Sequence, residues 1–217
     1  MPQSTTLVMP SPVAIKRLPW MRRLSVISQK LSRHLTVFSY ESYNLWSFIE
    51  SHPAITRFCE YPGYVIINDQ PVLATFWVQG HGHQQFLVLE NDIQLEPEHK
   101  NLAPTFRDAS IFTVTQAWLA PHRQRIENWQ QINPYIVCNG RFVTPQILDA
   151  TAALFDKPIA LYDAEHALQR IDQQLVRTAV FILLHKGRIM SDDLIERPLS
   201  SATLFYPSDV KRQENLP

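Results

Sequence analysis

The chain is poor in residues that mark several common enzyme classes. Only five of its 217 residues are glycine, and they form neither a phosphate-binding loop nor a Gly-x-Ser-x-Gly nucleophile turn. The two cysteines, Cys59 and Cys138, have no partner at CxxC or zinc-ligand spacing, so we expect two buried thiols. There is no apolar run of about 18 residues and no signal-peptide pattern, which predicts a cytoplasmic protein.

Net charge is absent overall but not locally. The chain has 20 basic and 20 acidic residues. Its first 40 residues contain six basic side chains and no acidic one, whereas the remainder contains 14 basic and 20 acidic side chains. A basic segment ahead of an acidic body is typical of contact with a phosphate backbone or an acidic partner. A solvated tail without a ligand explains the charge equally well.

The first two thirds of the chain predict an α/β domain. Apolar residues at helical spacing indicate an initial helix, and β-rich segments between turn sequences indicate three antiparallel strands. Helix, three strands, loop, strand and helix is the order of a restriction-endonuclease-like core, a mixed sheet flanked by helices. The predicted elements are a helix at 40–51, strands at 64–67, 72–79 and 84–92, a loop at 96–104, a strand at 111–115 and a helix at 123–132.

The pattern changes after the turn signal at 139–140. Three helices followed by a strand hairpin predict a small winged-helix-like α+β domain, with Thr144 capping its first helix. These elements are expected at 144–155, 163–170, 175–185, 189–194 and 203–206. The sequence thus predicts a basic N-terminal arm (1–35), the α/β domain (36–138), the winged-helix-like domain (139–206) and a tail (207–217).

Short motifs follow one another in a particular order along most of the chain. They lie at 22–37, 39–42, 58–62, 73–78, 86–92 and 183–200. In this order and spacing they resemble TnsA, the endonuclease that partners a DDE transposase in heteromeric transposons and has the metal-dependent PD-(D/E)XK nuclease fold. The resemblance spans roughly residues 15–206. It is weakest in the catalytic core.

The resemblance implies where a metal site would lie. Cleavage of a phosphodiester needs hard anionic oxygens to hold Mg²⁺ and a group that positions the attacking water. The family uses a Glu on the first helix, an Asp on the second strand, and a Glu or Gln two residues before a Lys on the third. By position, Glu41 and Glu90 correspond to the two Glu carboxylates. Thr75 stands at the Asp position and Asp92 at the Lys position.

These two replacements predict weak or absent cleavage. Thr75 removes a charge from the metal site, and Asp92 puts an anion where the family has a cation. We therefore expect a non-cleaving, DNA-binding TnsA-like subunit, a pseudo-nuclease without a cofactor, which positions or bridges transposon ends. By resemblance, its partners are double-stranded DNA, a TnsB-like DDE transposase and a TnsC-like AAA+ regulator, and no membrane is involved.

Six cations are the expected DNA contacts, each contributing salt-dependent affinity without reading sequence. They are Arg22, Arg23, Lys30 and Arg33 in the basic segment, with Lys186 and Arg188 beside the second domain's hairpin.

Two alternatives stay open. One is an active Mg²⁺-dependent endonuclease that nicks transposon ends, with Glu41, Glu90 and Asp92 as a rearranged metal site. The other is a winged-helix DNA-binding regulator whose first domain is a protein-interaction platform.

Overall fold

The computed structural model describes residues 9–16, 19, 22–80, 83–90 and 109–208. The chain divides into two compact units. The sheet unit draws on residues 1–43 and 55–115, and the helical unit on residues 44–54 and 116–216. These limits differ from the predicted boundary at 138–139, because the helix predicted at 123–132 packs with the helices that follow it.

A β-hairpin occupies much of the segment predicted as an arm. Strands β1 (Leu24–Ser28) and β2 (Arg33–Val37) pair antiparallel, with Leu24 opposite Val37. Ser32 takes a left-handed backbone conformation in the connecting turn. In β2, the buried residues Leu35 and Val37 alternate with the more exposed His34 and Thr36, as they do in a strand with one buried face.

Residues 9–16 contact the sheet unit and contain a single bridge residue, Ile15. The Val13 amide donates a hydrogen bond to the Tyr61 carbonyl, at 2.9 Å. Val13 and Ile15 pack against the buried rings of Phe38 and Tyr61. This part of the predicted arm is therefore held by contacts within the chain.

A four-stranded mixed sheet forms the body of the sheet unit. Strands β3, β4 and β5 form the predicted antiparallel meander, and β6 pairs in parallel with β5. The mixed α/β class with a four-stranded sheet and flanking helices is confirmed. Helix α1 (Tyr40–Ser51) begins in this unit and continues in the helical unit, and the strands are β3 (Arg57–Ile67), β4 (Gln70–Gly80), β5 (His83–Leu89) and β6 (Ala109–Val114). The predicted loop at 96–104 lies outside the described residues.

The helical unit contains short strands among its helices. Strands β7 and β8 both pair antiparallel with β9, in the order β7-β9-β8. Thr144 caps α4 as predicted, because its Oγ1 accepts a hydrogen bond from the Ile147 amide. The elements are α2 (Gln116–Leu119), α3 (Arg123–Asn139), α4 (Pro145–Ala152), β7 (Ile159–Ala160), α5 (Leu161–Ala167), α6 (Gln173–His185), β8 (Ile189–Met190), α7 (Asp193–Glu196) and β9 (Leu204–Pro207).

The strand predicted at 189–194 is shorter than expected. Only Ile189 and Met190 form a strand, and α7 begins at Asp193. Aspartate is unfavourable in strands, and the Asp193 carboxylate instead accepts a hydrogen bond from the Leu204 amide at 2.9 Å. The strand therefore ends where the two aspartates begin.

Helix α6 is the centre of the helical unit. Helices α3, α4 and α5 all pack against it, and the Tyr135 and Phe181 rings meet edge to face with centroids 5.5 Å apart. Its buried residues are Val176, Thr178, Ala179, Val180, Phe181 and Leu183. Because these residues lie around the helix and not along one stripe, α6 is a core helix. None of the helices in the described part of the chain is both long and apolar enough to cross a membrane.

The two cysteines differ in exposure. Cys59 in β3 is fully buried, and burial raises the pKa of its thiol to about 12. Cys138, near the end of α3, is exposed. The expectation of two buried thiols is therefore wrong for Cys138, because its apolar neighbours in sequence face the core while its own side chain faces solvent.

A thiol reagent separates the two cysteines. Because the thiolate is the reacting form and requires access, Ellman's reagent at pH 8 is expected to label one thiol per native chain rapidly. Cys138→Ser should abolish this fast phase, whereas Cys59→Ala should leave it unchanged. Two fast thiols in the native chain would contradict the burial of Cys59.

The raised pKa of Cys59 also predicts a pH dependence of stability. The unfolded chain loses this proton near the ordinary thiol pKa, whereas the folded chain keeps it up to about pH 12. The free energy of unfolding should therefore fall as pH rises from about 9 towards 12. Urea titrations at pH 8 and pH 10.5 measure the fall. It should be smaller in Cys59→Ala, which cannot ionise at this position.

Candidate functional site

Thr75 lies in β4 and is only 2% exposed. Its Oγ1 accepts a hydrogen bond from the Leu89 amide at 3.2 Å, which ties β4 to the end of β5. Phe76 pairs with Leu87, so continuing the antiparallel register by one residue sets Val88 opposite Thr75. The position that the resemblance assigns to a metal-binding Asp thus holds a buried hydroxyl with an apolar cross-strand neighbour.

Glu90 follows β5 directly and is exposed. Its amide donates a hydrogen bond to the Val114 carbonyl at 3.1 Å, so its backbone continues the pairing of β5 with β6. Because strand residues alternate between faces, Glu90 shares the face of Val88 and Thr75, one strand repeat nearer the exposed end. Asp92 lies outside the described residues.

Glu41 lies in the first turn of α1 and is partly exposed. The helix begins at a Ser39 cap, whose Oγ accepts a hydrogen bond from the Ser42 amide at 3.0 Å. A carboxylate in the first turn interacts favourably with the positive end of the helix dipole. Stabilisation of the helix start is thus a sufficient role for Glu41 without a metal.

The described donors do not fit the Mg²⁺ site that the resemblance implies. Thr75 offers a neutral hydroxyl that is already engaged with the Leu89 amide, and Val88 offers no donor. Among the residues that the structure describes, His, Cys, Asp and Glu form no group of three or more that could hold a metal ion. Glu41 and Glu90 thus belong to no such group among the described residues.

Arg33 forms an ion pair within the sheet unit. Its Nη1 and Nη2 donate to Oε1 and Oε2 of Glu60, both at 2.6 Å, and Glu60 is 5% exposed. These hydrogen bonds raise the pKa of Arg33 above its ordinary value. The guanidinium thus compensates a buried carboxylate in β3 and holds β2 against the sheet.

Lys30 has a similar role at the hairpin turn. Its Nζ donates a hydrogen bond to the Ile55 carbonyl at 2.7 Å. Lys30 and Arg33 are two of the expected phosphate contacts. Both side chains therefore make hydrogen bonds within the sheet unit.

Arg22 and Arg23 lie at the base of the hairpin and are both exposed. The Arg22 Nη1 donates to the Tyr40 hydroxyl at 2.7 Å, and its guanidinium carbon lies 4.9 Å from the Tyr40 ring centroid. Tyr40 is itself 53% exposed. The ring orients Arg22 at the surface, where its other N–H groups can reach an anion.

Lys186 and Arg188 flank the end of α6 and are exposed. Gly187 between them has a φ of +65°, and a Cβ there would meet the Pro53 side chain at 3.1 Å. Glycine is therefore required at this helix end. The two cations remain available at the surface of the helical unit, and Lys186 also interacts favourably with the helix C-terminus.

Two polar contacts inside the helical unit were not predicted. Arg177 on α6 forms a two-point ion pair with the buried Glu165 of α5 and donates to the Tyr135 hydroxyl of α3 at 3.1 Å. His185 lies 3.1 Å from an oxygen of the fully buried Glu50. The sequence signal for the first is an arginine within a strongly apolar helix, which requires a buried partner.

Comparison with known proteins assigns no family, because no protein-family model matches the chain and no curated protein is significantly similar to it.

The Arg33–Glu60 contact predicts which cations affect folding. Arg33→Ala leaves a buried carboxylate without its partner, so we expect the free energy of unfolding to fall by about 2 kcal/mol. Arg23→Ala removes an exposed cation and should change it by less than about 0.5 kcal/mol. Urea denaturation of both variants measures the difference. Equal stabilities would contradict a structural role for Arg33.

Proposed function

We propose that this chain is a TnsA-like, non-cleaving DNA-binding subunit of a heteromeric transposition machinery, which positions or bridges transposon ends. Its partners would be double-stranded DNA, a TnsB-like DDE transposase and a TnsC-like AAA+ regulator. The observation that carries the loss of cleavage is Thr75, a buried neutral hydroxyl bonded to the Leu89 amide at the position of the family's metal-binding Asp.

The topology of the sheet unit supports the nuclease-like part of this proposal. Helix α1 precedes an antiparallel meander, and β6 then joins β5 in parallel. This is the element order expected for a restriction-endonuclease-like core. Thr75 in β4 and Glu90 after β5 share one face of adjacent strands, which supports a common position for them if the core is nuclease-like.

The register of β4 and β5 strengthens the case for a lost activity. If Glu90 takes the family's strand-carboxylate position, Asp92 takes the Lys position. If Val88, opposite Thr75, takes the carboxylate position, Glu90 takes the Lys position. In both alignments the Asp and the Lys are replaced. The proposal therefore does not depend on resolving a two-residue shift.

The order of elements in the helical unit supports a winged-helix-like domain that makes few DNA contacts. Helices α4, α5 and α6 precede the β8–β9 pair, and β7 completes the small sheet. In many winged helices the third helix enters a DNA groove. Here that helix is α6, which is buried among α3, α4 and α5. We propose that this unit contacts protein partners, with Lys186 and Arg188 limited to phosphate contacts.

A plasmid assay tests the proposed function. The chain is incubated with supercoiled DNA carrying a transposon end, with Mg²⁺ or Mn²⁺, and binding is measured in parallel. We expect retarded DNA without nicking, and Glu90→Ala and Glu41→Ala should behave like the unchanged chain. If the unchanged chain nicks the plasmid and Glu90→Ala abolishes this nicking, the result contradicts the proposal and supports an active endonuclease.

Association with partners is measured separately. The chain is mixed with a DDE transposase and an AAA+ ATPase encoded beside it, and complex formation is followed by size-exclusion chromatography. Co-elution supports a transposition subunit. DNA binding without any adjacent transposase gene would instead favour a free-standing regulator.

A further inference from the structure

We propose that the outer face of the β1–β2 hairpin enters the major groove of duplex DNA, an inference that rests on the proposed DNA-binding function and names its contact surface. The hairpin is referred to below as the ribbon, residues Leu24–Val37.

The two faces of the ribbon differ in chemistry. The outer face carries Ser25 and His34, which are exposed, with Thr36 and Ile27, which are half-buried. On the inner face, Leu35 and Val37 are buried in the sheet unit. The outer set is Ser25, Ile27, His34 and Thr36, and the inner set is Leu24, Val26, Ser28, Arg33, Leu35 and Val37.

The dimensions of the ribbon suit one groove of DNA. A two-stranded ribbon fits the major groove, which is about 12 Å wide, but not the minor groove of about 6 Å. Hydroxyl groups such as those of Ser25 and Thr36 can bond to either donors or acceptors on base edges, and an apolar side chain such as Ile27 can contact a thymine methyl group. The outer face thus carries groups able to read bases.

The ribbon is held in place before any ligand binds. Arg33 joins it to Glu60 of β3, and Lys30 joins its turn to the Ile55 carbonyl. Preorganisation reduces the entropy lost on binding, because the contact surface needs no further ordering. The two cations that hold the ribbon are therefore separate from the residues that would touch DNA.

Charge favours a polyanion as the occupant. No acidic residue occurs between Met9 and Tyr40. Arg22 and Arg23 are exposed at the base of the ribbon, and the Tyr40 hydroxyl and ring orient Arg22. Phosphates line both edges of the major groove, so a ribbon inserted there brings its base close to the backbone. The basic segment thus supplies groove contacts from the strands and phosphate contacts from their base.

Duplex DNA fits better than duplex RNA. The major groove of A-form RNA is deep and too narrow for side chains to read its bases. A ribbon two strands wide would be excluded from it. Preference for DNA over RNA of the same sequence is therefore a consequence of this geometry and not of charge alone.

A charge-matched pair of variants tests the ribbon. Ser25→Glu with His34→Glu places two carboxylates on its outer face. The control, Gln70→Glu with Thr113→Glu, introduces the same number of carboxylates at exposed strand positions of β4 and β6. With a labelled transposon-end duplex, fluorescence anisotropy should show binding at least about tenfold weaker for the ribbon variant and within about twofold for its control. Circular dichroism confirms folding of both.

A substitution of opposite sign makes the test independent of folding defects. Ser25→Lys should bind the duplex about threefold more tightly at low salt, because it adds a cation beside the phosphates. Dimethyl sulfate should also modify guanine N7 less readily in the complex, since this atom lies in the major groove.

The outcomes separate the two proposals. If the unchanged chain binds the duplex, and neither the ribbon variant nor Ser25→Lys changes that affinity, the proposed ribbon contact is wrong. The proposed DNA-binding function then still stands. Equal affinity for duplex RNA, or unprotected guanine N7, also overturns the groove contact. Absence of duplex binding by the unchanged chain overturns the proposed function together with the ribbon.

Discussion

The sheet unit depends on one buried ion pair, Arg33 with Glu60. Glu60 is almost fully buried in β3, and an unpaired carboxylate there would cost several kcal/mol. Arg33 supplies two parallel hydrogen bonds in the geometry that a guanidinium and a carboxylate share. An isolated two-stranded hairpin is only marginally stable in water, so this contact also keeps β1 and β2 ordered. The basic segment is consequently part of the fold.

Much of the fold could be predicted from local patterns, but the hairpin was not. The meander over β3, β4 and β5 follows from β-rich segments between turn sequences, and helix α1 from its apolar spacing. Strands β1 and β2 have only five residues each, and the four cations of the surrounding segment, of which only Arg33 lies in a strand, favour interpretation as a charged arm. Whether a cation binds phosphate or an internal carboxylate depends on Glu60, which lies 27 residues away from Arg33.

The register of β4 against its neighbouring strand could not be predicted from the sequence. Residues Ala74 to Val78 of β4 are all buried, so neither face of the strand has the polar alternation that fixes a register. Only the pairing of Phe76 with Leu87 sets Val88 opposite Thr75. The packing of helices that lie far apart in the sequence could not be predicted from local patterns either. Helix α3 was assigned to the first domain because of its position in the sequence, whereas its apolar face packs with α6.

The residue type at position 75 decides whether β4 needs a compensating positive charge there. A carboxylate at a position only 2% exposed needs a compensating positive charge, which a bound cation provides in a metal-dependent nuclease. Threonine needs none, because its hydroxyl is satisfied by the Leu89 amide. The chain keeps a buried carboxylate only at Glu60 within the described sheet, where Arg33 compensates it. Strand β4 therefore needs no compensating cation at Thr75, and Arg33, which compensates Glu60, also holds the ribbon in place.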